Sequence, residues 1–135
     1  MALTNRERVG KALDLLRDGL APFVEREFAS MFDDDALSKV DEFLGQDGMR
    51  EDTSFSEWDS MLLLKLMWSA WNAVFAKTLG HAERSLVSEL REVRNRWAHQ
   101  KAFSGDDAYR ALDSVARLLT AVSAEEAADV EKMKM

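Results

Sequence analysis

The stretch ELREVRNRWAHQKAF at residues 89–103 combines an arginine, an amide and a histidine near the end of a predicted helix. Asn95 and His99 are four residues apart, so they are neighbours on a helix surface, and Arg94 directly precedes Asn95. An imidazole can move a proton near neutral pH, and a guanidinium can hold a phosphate through two parallel hydrogen bonds. These groups suit metal-free RNA cleavage, in which the 2′-hydroxyl attacks the adjacent phosphorus.

The same residues also fit an ordinary helix end. Arginine and histidine are favoured there because their positive charge complements the helix dipole. On a regular helix Arg94 and His99 lie about 140° apart, so they need not touch within one helix. They could converge if the helix ends at His99, or across a twofold axis that joins two copies of this face. Spacing alone leaves the catalytic and the structural interpretations open.

The rest of this helix separates into a packing face and a polar face. The packing face is predicted to comprise Leu86, Leu90, Val93 and Trp97, and the polar face Arg84, Ser88, Arg91, Asn95 and His99. Beside the motif, we expect Arg91, Arg96 and Lys101 to contact an RNA phosphate backbone. The alternative is that the arginines are solvated or form ion pairs with Glu89 or Glu92.

The charge of the chain is distributed unevenly. The net charge is −7, which argues against a protein that coats nucleic acid indiscriminately. Residues 84–101 carry five Lys and Arg against two Glu, a local charge of +3, so the remainder carries −10. A basic island on an acidic chain is more informative than the net charge of the whole chain.

Helix signals follow one another along the chain. We predict a first helix that begins at Thr4 and that Pro22 kinks or divides after Gly19, and a short helix over 37–44 closed by Gly45. A long apolar helix is predicted over 57–79 with Ser54 at its start and Gly80 at its end. The helices that follow are predicted to run from His81 to His99 and to begin at Ser104 and Ser123.

These signals predict an all-α, up-and-down bundle of four to five helices that forms a single domain over residues 1–135. The apolar helix over 57–79 is expected to supply core, with Trp58, Trp68 and Trp71 in the core or in a dimer interface. The last helix has no terminating signal, which favours the N-terminal part of a longer protein. The chain has no Cys, no secretory signal and no metal-ligand spacing, so we expect a cytoplasmic protein without metal or cofactor.

The residues Arg94-Asn95-Arg96-Trp97-Ala98-His99 match the R-x4-H signature of the HEPN superfamily (higher eukaryotes and prokaryotes nucleotide-binding). The opening TNRERVGKALDLLRDGLAPFVERE and the helix after the motif resemble the Swt-type HEPN branch. The resemblance covers nearly the whole chain. It implies a metal-independent endoribonuclease that works as a homodimer, in which Arg94 and His99 are catalytic, Asn95 supports them, and both subunits' motifs line one cleft.

The resemblance also implies a biological setting. Domains of this branch often lie in larger bacterial proteins that carry ATPases or act in genome conflict and defence, including toxin–antitoxin pairs. Some HEPN members bind RNA or a partner without cleaving it. A second hypothesis is therefore a non-catalytic dimerisation or RNA-sensing module that regulates an attached ATPase or effector.

Overall fold

A computed structural model describes residues 3–45 and 55–135 of the chain. The α-helices are α1 (Asn5–Phe32), α2 (Ala36–Leu44), α3 (Ser60–Ser69), α4 (His81–Ala98), α5 (Gly105–Ala121) and α6 (Glu126–Met133). Short 3₁₀ turns lie at Asp33–Asp35, Phe55–Glu57 and Phe75–Lys77, and the described residues contain no strand. The predicted all-α bundle is confirmed.

Helix α1 is the centre of the bundle and contacts each of the other helices. It begins with the predicted capping box, in which the Glu7 amide donates to Thr4 Oγ1 at 3.0 Å and the Thr4 amide donates to Glu7 Oε1 at 3.3 Å. Pro22 lies on the exposed side, and α1 continues through it without division. Gly19 permits close helix packing, because a Cβ there would lie 2.5 Å from Leu119 Cδ2 of α5.

The single long helix predicted over 57–79 is wrong. Helix α3 ends at Ser69, and the chain then forms turns before the 3₁₀ turn at Phe75–Lys77. At the break, the Ala76 amide donates to the Trp71 carbonyl at 2.8 Å, a five-residue step that no α-helix makes. Trp71 and Phe75 are both buried, so apolar spacing cannot distinguish this packed turn from a helix.

Two predicted helix boundaries differ in the structure, those at Gly80 and Ser123. Gly80 is the residue that precedes α4, not the end of the preceding helix, and its amide donates to Glu83 Oε1 at 2.8 Å. Ser123 does not cap α6; it adopts a positive φ of 61° in the turn that closes α5. Gly45 follows α2 with a φ of 59°, as predicted, and Ser54 lies outside the described residues.

Most apolar residues of α3 and of the following turns are buried in the core of the molecule. Trp58 and Trp71 are buried, as are Leu63, Leu64, Leu66, Met67, Val74 and Phe75. Trp68 is the exception, with 36% of its surface exposed. None of the described helices combines the length and the apolarity that crossing a membrane requires.

Candidate functional site

The predicted motif lies at the C-terminal end of α4, and a tight turn closes the helix there. The Gln100 amide donates to the Trp97 carbonyl at 3.1 Å, and the Lys101 amide donates to the Arg96 carbonyl at 2.9 Å. This pair of bonds is a Schellman motif, which requires a left-handed residue, and Gln100 supplies it with a φ of 58°. His99 is consequently the last residue before the chain turns, and it is exposed.

Trp97 fixes the backbone of the motif against α1. Its indole Nε1 donates to the Arg6 carbonyl at 3.3 Å, and Arg6 Nη1 donates to the Trp97 carbonyl at 2.6 Å. A Cβ at Gly10 would lie 3.0 Å from Trp97 Nε1, so the glycine leaves room for the ring. Leu90 of the predicted packing face is buried, and Leu86, Val93 and Trp97 are partly buried against the core. Trp97 is therefore a packing residue, as its spacing predicts.

Arg94 faces α3 and not the open side of α4. Its Nη2 lies 3.3 Å from Asp59 Oδ2, and its side chain is 21% exposed. Asp59 has a second role, because its Oδ1 accepts the Leu62 amide at 2.9 Å and caps α3. One carboxylate therefore begins α3 and neutralises the candidate catalytic arginine.

A cavity of about 420 Å³ opens beside Arg94. Its lining comprises Glu57, Trp58, Asp59, Met61, Leu62, Lys65 and Arg94. A smaller cavity of about 100 Å³ lies on the α1 side and shares Asp59 and Arg94 with the first. Arg94 thus lies between two openings, and the larger one falls in the size range of small-ligand sites, roughly 300–1,000 Å³.

His99 and Asn95 are both exposed on α4. Within residues 3–45 and 55–135, neither side chain takes part in a hydrogen bond or an ion pair. Their backbones are joined by a hydrogen bond, in which the His99 amide donates to the Asn95 carbonyl at 3.0 Å. Arg94 lies on the α3 side of the helix, and no contact joins it to His99 within the described chain. The structure brings Arg94 and His99 to one helix end but not together.

Arg96, predicted as an RNA contact, has partners within the chain. Its Nη2 donates to the Ala102 carbonyl at 3.0 Å and lies 3.4 Å from Asp107 Oδ2, and its guanidinium lies 4.9 Å from the centre of the Phe103 ring. Hydrogen bonds from Ser104 and Arg96 hold the pKa of Asp107 below its usual range. Arg96 therefore stabilises the α4–α5 connection, whereas Lys101 is exposed beside it.

Arg91 lies on the α3 side of α4 with Arg84, and both are next to Trp68 of α3. The Arg84 and Arg91 guanidinium carbons lie 4.6 and 5.9 Å from the centre of the Trp68 ring. Glu89, one predicted partner for an arginine of α4, instead binds Arg110 of α5 at 2.7 Å. Burial opposes ionisation of Glu89, but hydrogen bonds from Arg110 and Ser114 outweigh it and lower the pKa.

Sequence reasoning missed two participants of this region, Asp59 and Trp68. Asp59 carries a visible signal, since an aspartate directly before an apolar run is a typical helix N-cap. Its contact with Arg94 spans 35 positions and has no local signal. The sequence predicts Trp68 in the core or in a dimer interface, and its contacts with Arg84 and Arg91 depend on the packing of α3 against α4.

The family of the chain follows from comparison with known proteins. A family model described as Swt1-like HEPN matches residues 11–123. The chain belongs to the Swt1-like HEPN family. The matched HEPN region includes the whole R-x4-H motif, the end of α4 and helix α5. No curated protein and no solved structure matches the chain.

The candidate functional side chains at the end of α4 are a guanidinium, an amide and an imidazole, from Arg94, Asn95 and His99. In the part of the chain that the structure describes, no three His, Asp or Glu side chains form a group that could hold a metal ion. The chemistry available from the described side chains at this helix end is proton transfer by an imidazole and charge stabilisation by a guanidinium.

Proposed function

We propose that this Swt1-like HEPN domain is a metal-independent endoribonuclease whose active site combines Arg94 and His99 from two subunits. The observation that carries the proposal is their separation: Arg94 lies between α3 and α4, while His99 is exposed on the helix end. A twofold axis beside the end of α4 would place Arg94 of one copy near His99 of the other. Asn95 lies on the same exposed surface as His99 and would contribute to the paired face.

The proposed reaction is an internal transfer at phosphorus. The 2′-oxygen forms a bond to the adjacent phosphorus, and the bond from phosphorus to the 5′-oxygen breaks. The His99 imidazole takes the 2′-hydroxyl proton, and the imidazolium so formed gives a proton to the leaving 5′-oxygen. The products are a cyclic 2′,3′-phosphate and a 5′-hydroxyl. Arg94 would bind the phosphate oxygens and stabilise the charge that develops on them.

The test is RNA cleavage in EDTA by the wild-type protein and by His99→Ala, with single-stranded and structured RNA. Proton transfer by a positioned side chain is typically worth roughly 10²–10⁴ in rate, so His99→Ala should lose at least about 100-fold. His81→Ala is the matched control, because His81 is also exposed and lies at the opposite end of α4. Cleavage by His99→Ala at the wild-type rate, or none by the wild-type protein, would contradict the proposal.

The biological setting is part of the same proposal. We place the domain in the cytoplasm, in a defence or genome-conflict system, and attached to an ATPase or effector domain or encoded as the toxin of a toxin–antitoxin pair. The support is the family membership of residues 11–123. Growth arrest on expression of the wild-type protein, and its relief by His99→Ala, would support a toxin. Equal growth of the two strains would argue against it.

One observation favours a second function. Arg94 is paired with Asp59, so the guanidinium that would contact a phosphate already has an anionic partner. This arrangement suits an RNA-sensing or dimerisation module that binds without cleavage and regulates an attached domain. Such a module predicts dimerisation that depends on concentration, measured by sedimentation, together with no cleavage by the wild-type protein. A strictly monomeric protein at high concentration would contradict this module and the composite site alike.

A further inference from the structure

A basic seam runs between α3 and α4, and it joins Arg84 and Trp68 to two residues that the sequence singles out, Arg91 and Arg94. We define the α3–α4 seam by Arg84, Arg91 and Arg94 of α4 with Lys65 and Trp68 of α3. The two helices are antiparallel, because Trp68 near the end of α3 contacts Arg84 in the first turn of α4, whereas Asp59 before α3 contacts Arg94. At a rise of about 1.5 Å per residue, Arg84 and Arg94 are separated by about 15 Å along α4.

Two arginines of this seam have no anionic partner. Among the described residues, no carboxylate, carbonyl or hydroxyl contacts the guanidinium of Arg84 or Arg91, and the Nε of each is buried without an acceptor. The other two arginines of α4 are paired, Arg94 with Asp59 and Arg96 with Asp107. On a chain of net charge −7, where carboxylates outnumber cations, two free neighbouring guanidiniums are an unusual concentration of unneutralised charge.

Trp68 gives these arginines a fixed position. Its ring is 36% exposed, and the guanidinium carbons of Arg84 and Arg91 lie 4.6 and 5.9 Å from the ring centre. A cation within about 6 Å of an aromatic centre is held by the ring quadrupole, and this interaction uses none of the guanidinium hydrogen-bond donors. Trp68 is therefore a positioning residue that leaves the terminal Nη donors available to a ligand, while the Nε of each arginine is buried.

We infer that the α3–α4 seam binds the phosphate backbone of single-stranded RNA, with Arg84 and Arg91 as phosphate contacts and Trp68 as their support. The strand would reach the cavity of about 420 Å³ beside Arg94, where an unstacked base has space between Trp58, Leu62 and Lys65. This inference rests on the proposed function for RNA as the ligand. The inferred RNA-binding surface differs from the one predicted from the sequence, because the strand follows Arg84 and Arg91 and not Arg96.

The test is fluorescence anisotropy with a labelled single-stranded RNA oligonucleotide in EDTA, at several salt concentrations. Each phosphate contact on a single strand contributes about 0.7 to the slope of log affinity against log salt. That slope corresponds to about fourfold in affinity at about 0.15 M salt, so Arg84→Gln and Arg91→Gln should each weaken binding about fourfold. The double variant should lose about 15-fold, and its salt slope should fall by about 1.4.

Arg26→Gln is the matched control. Arg26 lies on α1 with its guanidinium 5.8 Å from the centre of the Phe23 ring, so it is also an arginine over an aromatic ring, and its loss changes the net charge equally. We expect its affinity and salt slope to equal those of the wild-type protein. Trp68→Ala should weaken binding, and Trp68→Phe should restore most of it, with the melting temperatures of all variants measured in parallel.

Several results would overturn the inference. One is unchanged affinity in the double variant, especially if Lys101→Gln or Arg96→Gln weakens binding instead. Another is an equal loss in Arg26→Gln, which would indicate attraction by net charge alone. Displacement of RNA by polyglutamate at an equal concentration of charge would indicate a site for any polyanion, including acidic proteins.

The outcome is separable from the endoribonuclease proposal. If the double variant loses affinity while the wild-type protein cleaves nothing, the seam binds RNA and the catalytic proposal fails. If cleavage depends on His99 but the double variant binds and cleaves as the wild type does, the catalytic proposal stands and the seam does not bind the strand.

Discussion

The proposed function predicts that the carboxylate of Asp59 competes with RNA for Arg94, and Asp59→Asn tests this directly. In the folded protein Asp59 Oδ2 lies 3.3 Å from Arg94 Nη2, while Oδ1 accepts the Leu62 amide. Asparagine caps a helix about as well as aspartate, so the substitution removes the charge and retains the cap of α3. The expected result is tighter binding of single-stranded RNA, because the guanidinium no longer has an anionic partner.

The size of the expected change in RNA affinity follows from the solvent exposure of the Asp59–Arg94 ion pair. The Asp59 side chain is 57% exposed and that of Arg94 is 21% exposed, so solvent screens the interaction. Ion pairs of this kind are typically worth about 0.2–1 kcal/mol. RNA affinity should therefore rise between about 1.4- and fivefold, and the free energy of unfolding should fall by no more than about 1 kcal/mol.

The assay is anisotropy of a labelled single-stranded RNA, paired with urea unfolding of each variant. Asp59→Ala is the companion variant, because it removes the same charge and also the cap, which costs about 1 kcal/mol more in stability. Both variants should bind RNA more tightly, and they should differ in stability. Weaker binding by Asp59→Asn would refute the reasoning, since it would mean that Asp59 positions Arg94 for the phosphate.

Three further predictions concern the scaffold of the site. Gly19→Ala should lower the free energy of unfolding by about 1 kcal/mol, because overpacking against Leu119 Cδ2 at 2.5 Å outweighs the better helix propensity of alanine; an increase in the urea midpoint would contradict this. Gln100→Gly should raise stability by up to about 1 kcal/mol, because Gln100 has a φ of 58°, and Gln100→Ala should leave the midpoint unchanged. The hydrogen bond from Lys134 lowers the pKa of Asp113 in the folded protein. The ionised Asp113 carboxylate therefore stabilises the fold above its unfolded pKa of about 3.9, and this stabilisation is lost as the pH falls through the lower folded pKa. Thermal melts of Asp113→Asn should lose less stability below about pH 4 than those of the wild type, and parallel curves would contradict the assignment.

The features that sequence predicts well are those that depend on local chemistry. The capping box of Thr4 and Glu7, the cap of α5 by Ser104 and the end of α4 at His99 all follow from side chains within a few residues of the helix end. The R-x4-H motif and its helical setting likewise indicate the family. These signals are short-range, so a single sequence contains them completely.

The features that sequence does not predict depend on packing between helices. Helix α3 stops at Ser69, and the buried Trp71 and Phe75 that follow lie in turns although their spacing is that of a helix. The role of Arg96 depends on where the α4–α5 connection places Ala102, and Arg94 meets Asp59 across 35 residues. Helical spacing identifies which residues share a face, but it does not identify which neighbouring helix covers that face.

The most direct measurement of the central proposal is RNA cleavage in EDTA by a mixture of Arg94→Ala and His99→Ala proteins, compared with each variant alone. Each variant alone lacks one group in both subunits, whereas a mixed dimer retains one Arg94 and one His99 on different chains. A composite site predicts that both variants are inactive and that mixing them restores a part of the wild-type activity. A mixture no more active than either variant would contradict an active site that combines Arg94 of one subunit with His99 of the other.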